Sequence, residues 1–94
     1  MGPSAVAAAG DMYTDAEGMK PMPVPHAMTE AEVKAAIAEY AQAGKNAVAA
    51  GFEGIELHGA KCDLREQFIR PNSNQRTDSY CGSIENRARF ALDA

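Results

Sequence analysis

The residues able to do chemistry gather in the middle of the chain. His58 closes the short stretch Phe52-Glu53-Gly54-Ile55-Glu56-Leu57-His58. An imidazole titrates near neutrality and both donates and accepts hydrogen bonds. At the carboxyl end of a strand in an α/β barrel, it stands where active sites collect. Glu56 lies two residues earlier on the same strand face and reads as an interior carboxylate paired with an arginine. Cys62 and Cys81 add two sulfurs to His58, enough for three zinc ligands. The spacing H-x3-C with one distant Cys lacks the C-x2-C or H-x3-5-H pair of zinc sites. The reading is therefore no metal and two reduced, inert thiols, with a weak metal- or thiol-based binding module as an alternative. Neither G-x-G-x-x-G nor a P-loop occurs, and Ser4 and Ser83 lack a nucleophile-elbow context.

The elements that position these residues follow from local signals. Residues 1–28 contain Gly2, Pro3, Gly10, Gly18, Pro21, Pro23 and Pro25 and read as an irregular segment. Proline at alternate positions forbids a helix and favours an extended path. Thr29-Glu30-Ala31-Glu32 is a capping box, with Met28 and Val33 placed as a hydrophobic staple. Val33, Ile37, Tyr40, Ala47 and Val48 repeat with a helical period, and Gly51 stops it, predicting a helix over about 30–50. The stretch 52–58 alternates between glycines and predicts a strand. Ile55 and Leu57 share one face, and Glu56 and His58 the other. A doubly wound sheet would be apolar on both faces; a barrel strand presents one face to helices and one to the interior. Helix followed by strand therefore predicts an α/β chain and a piece of a barrel. Leu64, Phe68 and Ile69 predict a short helix near 63–69, ended by Pro71, within an active-site loop spanning 59–82. A last helix begins at Ser83, with Ile84, Ala88, Ala91 and Leu92 as its apolar side.

Composition sets outer limits. The 94 residues hold 9 Lys+Arg against 13 Asp+Glu, a net charge of −4, which argues against nucleic acid and against a polybasic membrane helix. No apolar run reaches the length of a membrane span. Two cysteines make no disulfide scaffold, so a cytoplasmic, reducing setting is expected. With six aromatics, no Trp and much alanine, the core is expected to be thin. The final helix still runs at Ala94, and the chain is expected to be part of something larger.

Three stretches carry a family resemblance: GFEGIELHGA (51–60), EQFIRPNSNQRTDSY (66–80) and GSIENRARF (82–90). They resemble the Old Yellow Enzymes, FMN-dependent NAD(P)H oxidoreductases that reduce activated alkenes. GPSAV and VPHAMTEAEV fit as well, with His26 where Arg is usual. The resemblance implies a fragment of a (β/α)8 barrel, comprising the end of strand three, a helix, strand four, its loop and the next helix start. It implies FMN and NAD(P)H as cofactors of a complete enzyme, with the flavin contacts outside this stretch. It also implies an enone or nitroalkene as a small-molecule electrophilic substrate, and the rest of the barrel as partner. By position, His58 matches the first residue of the family's H-x-x-[NH] pair that holds the substrate oxygen, Lys61 the second, and Asp63 the proton-donating Tyr. The usual Asn-Gly-Tyr is thus Lys61-Cys62-Asp63, and Cys81 replaces a Gly. A carboxyl group with a reference pKa of about 3.9 is ionised at neutral pH, whereas a phenol near 10 keeps its proton. Arg76, Asp78, Ser83, Asn86 and Arg87 match the family and read as scaffolding. The isolated chain is expected to be inactive and to be marginally stable or self-associating. A non-catalytic barrel piece is the other reading.

Overall fold

The computed structural model describes residues 1–61 and 63–94. In chain order it holds β1 (Asp11–Thr14), β2 (Gly18–Pro21), α1 (Glu30–Ala49), α2 (Leu64–Ile69) and α3 (Ile84–Asp93). Its extents are 40 × 37 × 22 Å and its radius of gyration is 15.1 Å. A compact domain of this length would have a radius near 12 Å, so the chain is a spread slab with a small core.

Local hydrogen bonds build α1. The Thr29 hydroxyl accepts from the Glu32 N–H at 3.2 Å, and the Glu32 carboxylate accepts from the Thr29 N–H at 2.7 Å. Both donors would otherwise be orphaned at the helix start. At the other end the Gly51 N–H donates to the Val48 carbonyl and the Phe52 N–H to the Ala47 carbonyl. That paired closure needs a left-handed residue at C′, and Gly51 supplies it with φ +100°. Ser83 caps α3 by accepting from the Asn86 N–H.

The core is Met28, Val33, Phe68, Tyr80 and Phe90, with Ala36, Ile37, Tyr40 and Leu64 packed against it. Phe68 and Phe90 stack with centroids 4.3 Å apart and planes 18° apart, while Tyr80 and Tyr40 meet them edge-on. Aromatics bury the most area per residue, which is why four of the six are at the centre of an otherwise alanine-rich chain.

Three expectations change. Residues 1–28 are not wholly irregular: β1 and β2 form an antiparallel hairpin in the register Met12↔Lys20 and Tyr13↔Met19. Its turn is closed by the Thr14 hydroxyl, which donates to the Gly18 carbonyl at 2.9 Å. Pro21 is tolerated because it ends an edge strand, where no donor is required. Secondly, residues 52–58 form no strand among the described residues, and Ile55 is 51% exposed. A strand exists through hydrogen bonds to a neighbour, and among the described residues no strand lies beside 52–58 to receive them. Ile55 leans on α1 instead: a Cβ at Gly44 would lie 3.0 Å from its Cδ1. Thirdly, α3 buries Phe90 and leaves Ile84 and Leu92 exposed, Leu92 at 79%. Phe90 stacks on Phe68, and Ile84 and Leu92 face outward, away from that stack.

Two carboxylates tie stability to acid. The Thr29 N–H, and then the His26 imidazole, hold Glu32 below the usual carboxylate range. Hydrogen bonds from the Arg76 guanidinium hold Asp78 below it as well. A carboxyl group depressed in the folded state binds more protons when unfolded. Its contribution is complete above the unfolded value, about 4, and disappears as pH falls through the folded value. Far-UV circular dichroism should therefore report loss of α1 as pH drops below about 4. Combining Glu32→Gln with Asp78→Asn should flatten that dependence; an unchanged acid transition would contradict the assignment.

Candidate active site

The segment after α1 and its Gly51 stop leads through His58 into a tight turn. The Asp63 N–H donates to the Ala60 carbonyl at 3.3 Å, and Lys61 within that turn has φ +56°. This left-handed conformation costs most L-residues about 1–2 kcal/mol. The turn folds the chain back so that Nε2 of His58 lies 3.2 Å from Oδ2 of Asp63. Of the three candidate residues, His58 and Asp63 meet, while Lys61 sits on the turn between them, exposed. Cys62 lies outside the described residues.

The remaining candidates stand apart from this loop. Glu56 is exposed, and no carboxylate–arginine pair joins it among the described residues. The Cys81 thiol is half-buried and donates to the Asn74 carbonyl at 3.4 Å. No group of three His, Cys, Asp or Glu suited to a metal occurs among the described residues.

The polar loop 70–82 is a frame. Arg76 is its hub. Its guanidinium donates to Asp78, to the Pro3 carbonyl at 3.0 Å and to the Met28 carbonyl, joining the chain's first residues to the start of α1. Arg87 donates to the Ile69 carbonyl at 2.5 Å and Asn86 to the Cys81 carbonyl at 3.1 Å. Sequence reasoning missed Asn74, 2% exposed, whose amide donates to the carbonyls of Phe68 at 2.7 Å and Tyr80 at 2.8 Å. It clamps two core aromatics by their backbone. An asparagine in a turn-rich polar stretch reads as solvated, and no local signal marks it otherwise. Arg65 was also missed: it donates to the Ala91 carbonyl at 2.6 Å and lies over the Tyr40 ring.

Chemically, the loop offers an imidazole beside a carboxylate, with an exposed lysine on the turn between them. These donors suit an oxygen that is, or becomes, negative. They do not form a cradle for a flavin ring or its phosphate, which would need a nest of N–H groups or a helix start facing it.

Residues 2–94 match the sequence pattern of the NADH:flavin oxidoreductase / NADH oxidase family. A Leishmania infantum protein named "Probable flavin mononucleotide-dependent alkene reductase" is 54% identical over 74 residues, covering 79% of this chain and 20% of that protein. A Claviceps purpurea protein named "Probable inactive dehydrogenase" is 50% identical over 72 residues, covering 76% of this chain and 19% of that protein. The solved structure of an old yellow enzyme homologue from Zymomonas mobilis superposes with a TM-score of 0.88 at 38% identity, covering 98% of this chain and 26% of that one. The chain thus spans about a fifth of the length of the curated relatives it matches.

Proposed function

Since the chain belongs to the NADH:flavin oxidoreductase / NADH oxidase family, we propose that it is a piece of a (β/α)8 barrel that, when complete, uses FMN and NAD(P)H to reduce activated alkenes. Enones and nitroalkenes are the substrate class, in a cytoplasmic setting. The observation that carries this reading is the match over residues 2–94, with the donor loop at 58–63 inside it. FMN, when bound, supplies the hydride; the rest of the barrel holds it. This chain's own residues act on the substrate: His58 and Lys61 donate to its carbonyl or nitro oxygen. Their hydrogen bonds, and the charge of Lys61, match an enolate or nitronate better than the neutral ground state, which is what lowers a barrier. Asp63 stands at the position of the family's proton donor.

A second reading is a barrel whose chemistry at this loop is lost. It is favoured by the Lys61-Cys62-Asp63 replacement and by the relative whose name calls it inactive.

Residues 2–94 grafted in place of the corresponding segment of the Zymomonas relative should give a yellow protein that binds FMN and oxidises NAD(P)H. The 94-residue chain alone should leave flavin fluorescence unquenched at micromolar concentration. A graft that folds but takes up no FMN would overturn the first reading. A graft that binds FMN but reduces no electron-poor alkene would support the second.

A further inference from the structure

Asp63 is not used as an aspartate at a helix start ordinarily is. It is the N-cap of α2, with φ −65° and ψ 164°, yet its carboxylate makes no capping hydrogen bond. Asp is favoured at that position because its oxygen accepts a free N–H of the first turn. Here Oδ2 lies 3.2 Å from Nε2 of His58. The arrangement is produced by the turn through Lys61, whose left-handed φ of +56° reverses the chain. Among the described residues no ion pair joins Lys61 to Asp63; the carboxylate's ion pair is with His58.

We infer that Asp63 is a positioning residue for His58: its carboxylate accepts the Nε2–H, fixes which ring nitrogen carries the proton, and leaves Nδ1 as the atom that meets the ligand oxygen. A neutral imidazole has one N–H. With that proton given to Asp63, Nδ1 carries only a lone pair and repels an anionic oxygen. The imidazolium has both N–H groups. Donation from His58 to a carbonyl or nitro oxygen through Nδ1–H therefore requires the protonated ring, with Asp63 holding Nε2. The residue at the proton-donor position thus acts through the histidine and does not itself donate. This inference rests on the reading of His58 as a contact to substrate oxygen, and it changes the role of position 63 within it.

The test needs neither ligand nor turnover, so its failure is distinct from failure of the proposed activity. Nitrogen NMR of the 94-residue chain at about pH 9, above the ordinary imidazole range near 6.5, reports the two neutral tautomers of each histidine. Asp63→Ala should raise the Nδ1–H to Nε2–H ratio of His58 by about threefold, the scale of a lost charge-assisted hydrogen bond discounted for exposure. Asp63→Asn keeps an amide oxygen in the same place and should restore most of the difference. His26, engaged with Glu32 at 3.1 Å, should not change in either variant. An unchanged ratio at His58 in Asp63→Ala, or a shift of equal size at His26, overturns the inference.

Discussion

Alkene reduction by a complete Old Yellow Enzyme should slow by about 10²–10⁴-fold when its Asn-Gly-Tyr is replaced by the Lys-Cys-Asp found at positions 61–63. That range is the usual worth of general acid catalysis. The phenol is replaced by a carboxyl group whose Oδ2 sits at Nε2 of His58 rather than free to meet the substrate carbon. Oxidation of NAD(P)H with a quinone acceptor should be spared, because a quinone is reduced at oxygen and needs no proton at carbon. The two reversions should differ in kind. Restoring Tyr at position 63 returns a proton donor and should recover most of the alkene rate. Restoring Asn at position 61 exchanges one donor for another and should recover little. It should instead raise stability by roughly 1 kcal/mol, because Asn tolerates the left-handed conformation that Lys61 adopts. Stopped-flow measurement of the two half-reactions decides this: an alkene step as fast as the parent's contradicts the role given to position 63.

Truncation of the aromatic stack should abolish the fold of the isolated chain. Phe68 and Phe90 are both fully buried and stack face to face at 4.3 Å. Phe→Ala in a core costs about 3–5 kcal/mol. Ordinary domains of this length have a stability of only about 5–14 kcal/mol, and a slab with so small a core belongs at the low end. Phe90→Ala should therefore remove most of the helical signal at room temperature in far-UV circular dichroism. Leu92→Ala, two residues along the same helix and 79% exposed, should shift stability by no more than about 0.5 kcal/mol. A cooperative urea transition in Phe90→Ala with its midpoint near that of the parent would show that the core lies elsewhere.

The sequence by itself determined the features whose partners lie within a few residues. The Thr29–Glu32 capping box, the Gly51 stop and the Ser83 cap each close hydrogen bonds across three to five positions. Such bonds form wherever the local chain forms, so residue type and spacing suffice to read them. The family motifs around His58 were legible for a related reason: a dense run of specific residues is a signature whatever its neighbours do. Tertiary structure decided what depends on distant partners. Phe90 was hidden by a helical stripe that looked more apolar, and only its stack on Phe68 settled which face turns inward. Arg76 became a hub because its guanidinium reaches the carbonyls of Pro3 and Met28, 73 and 48 positions away. Residues 52–58 have the alternation of a strand, but a strand needs hydrogen bonds from another segment, and alternation supplies none. The pairing of His58 with Asp63 lies between these cases. The two are five positions apart, yet their meeting turns on the left-handed φ of Lys61, a conformation that residue type disfavours and only the folded turn imposes.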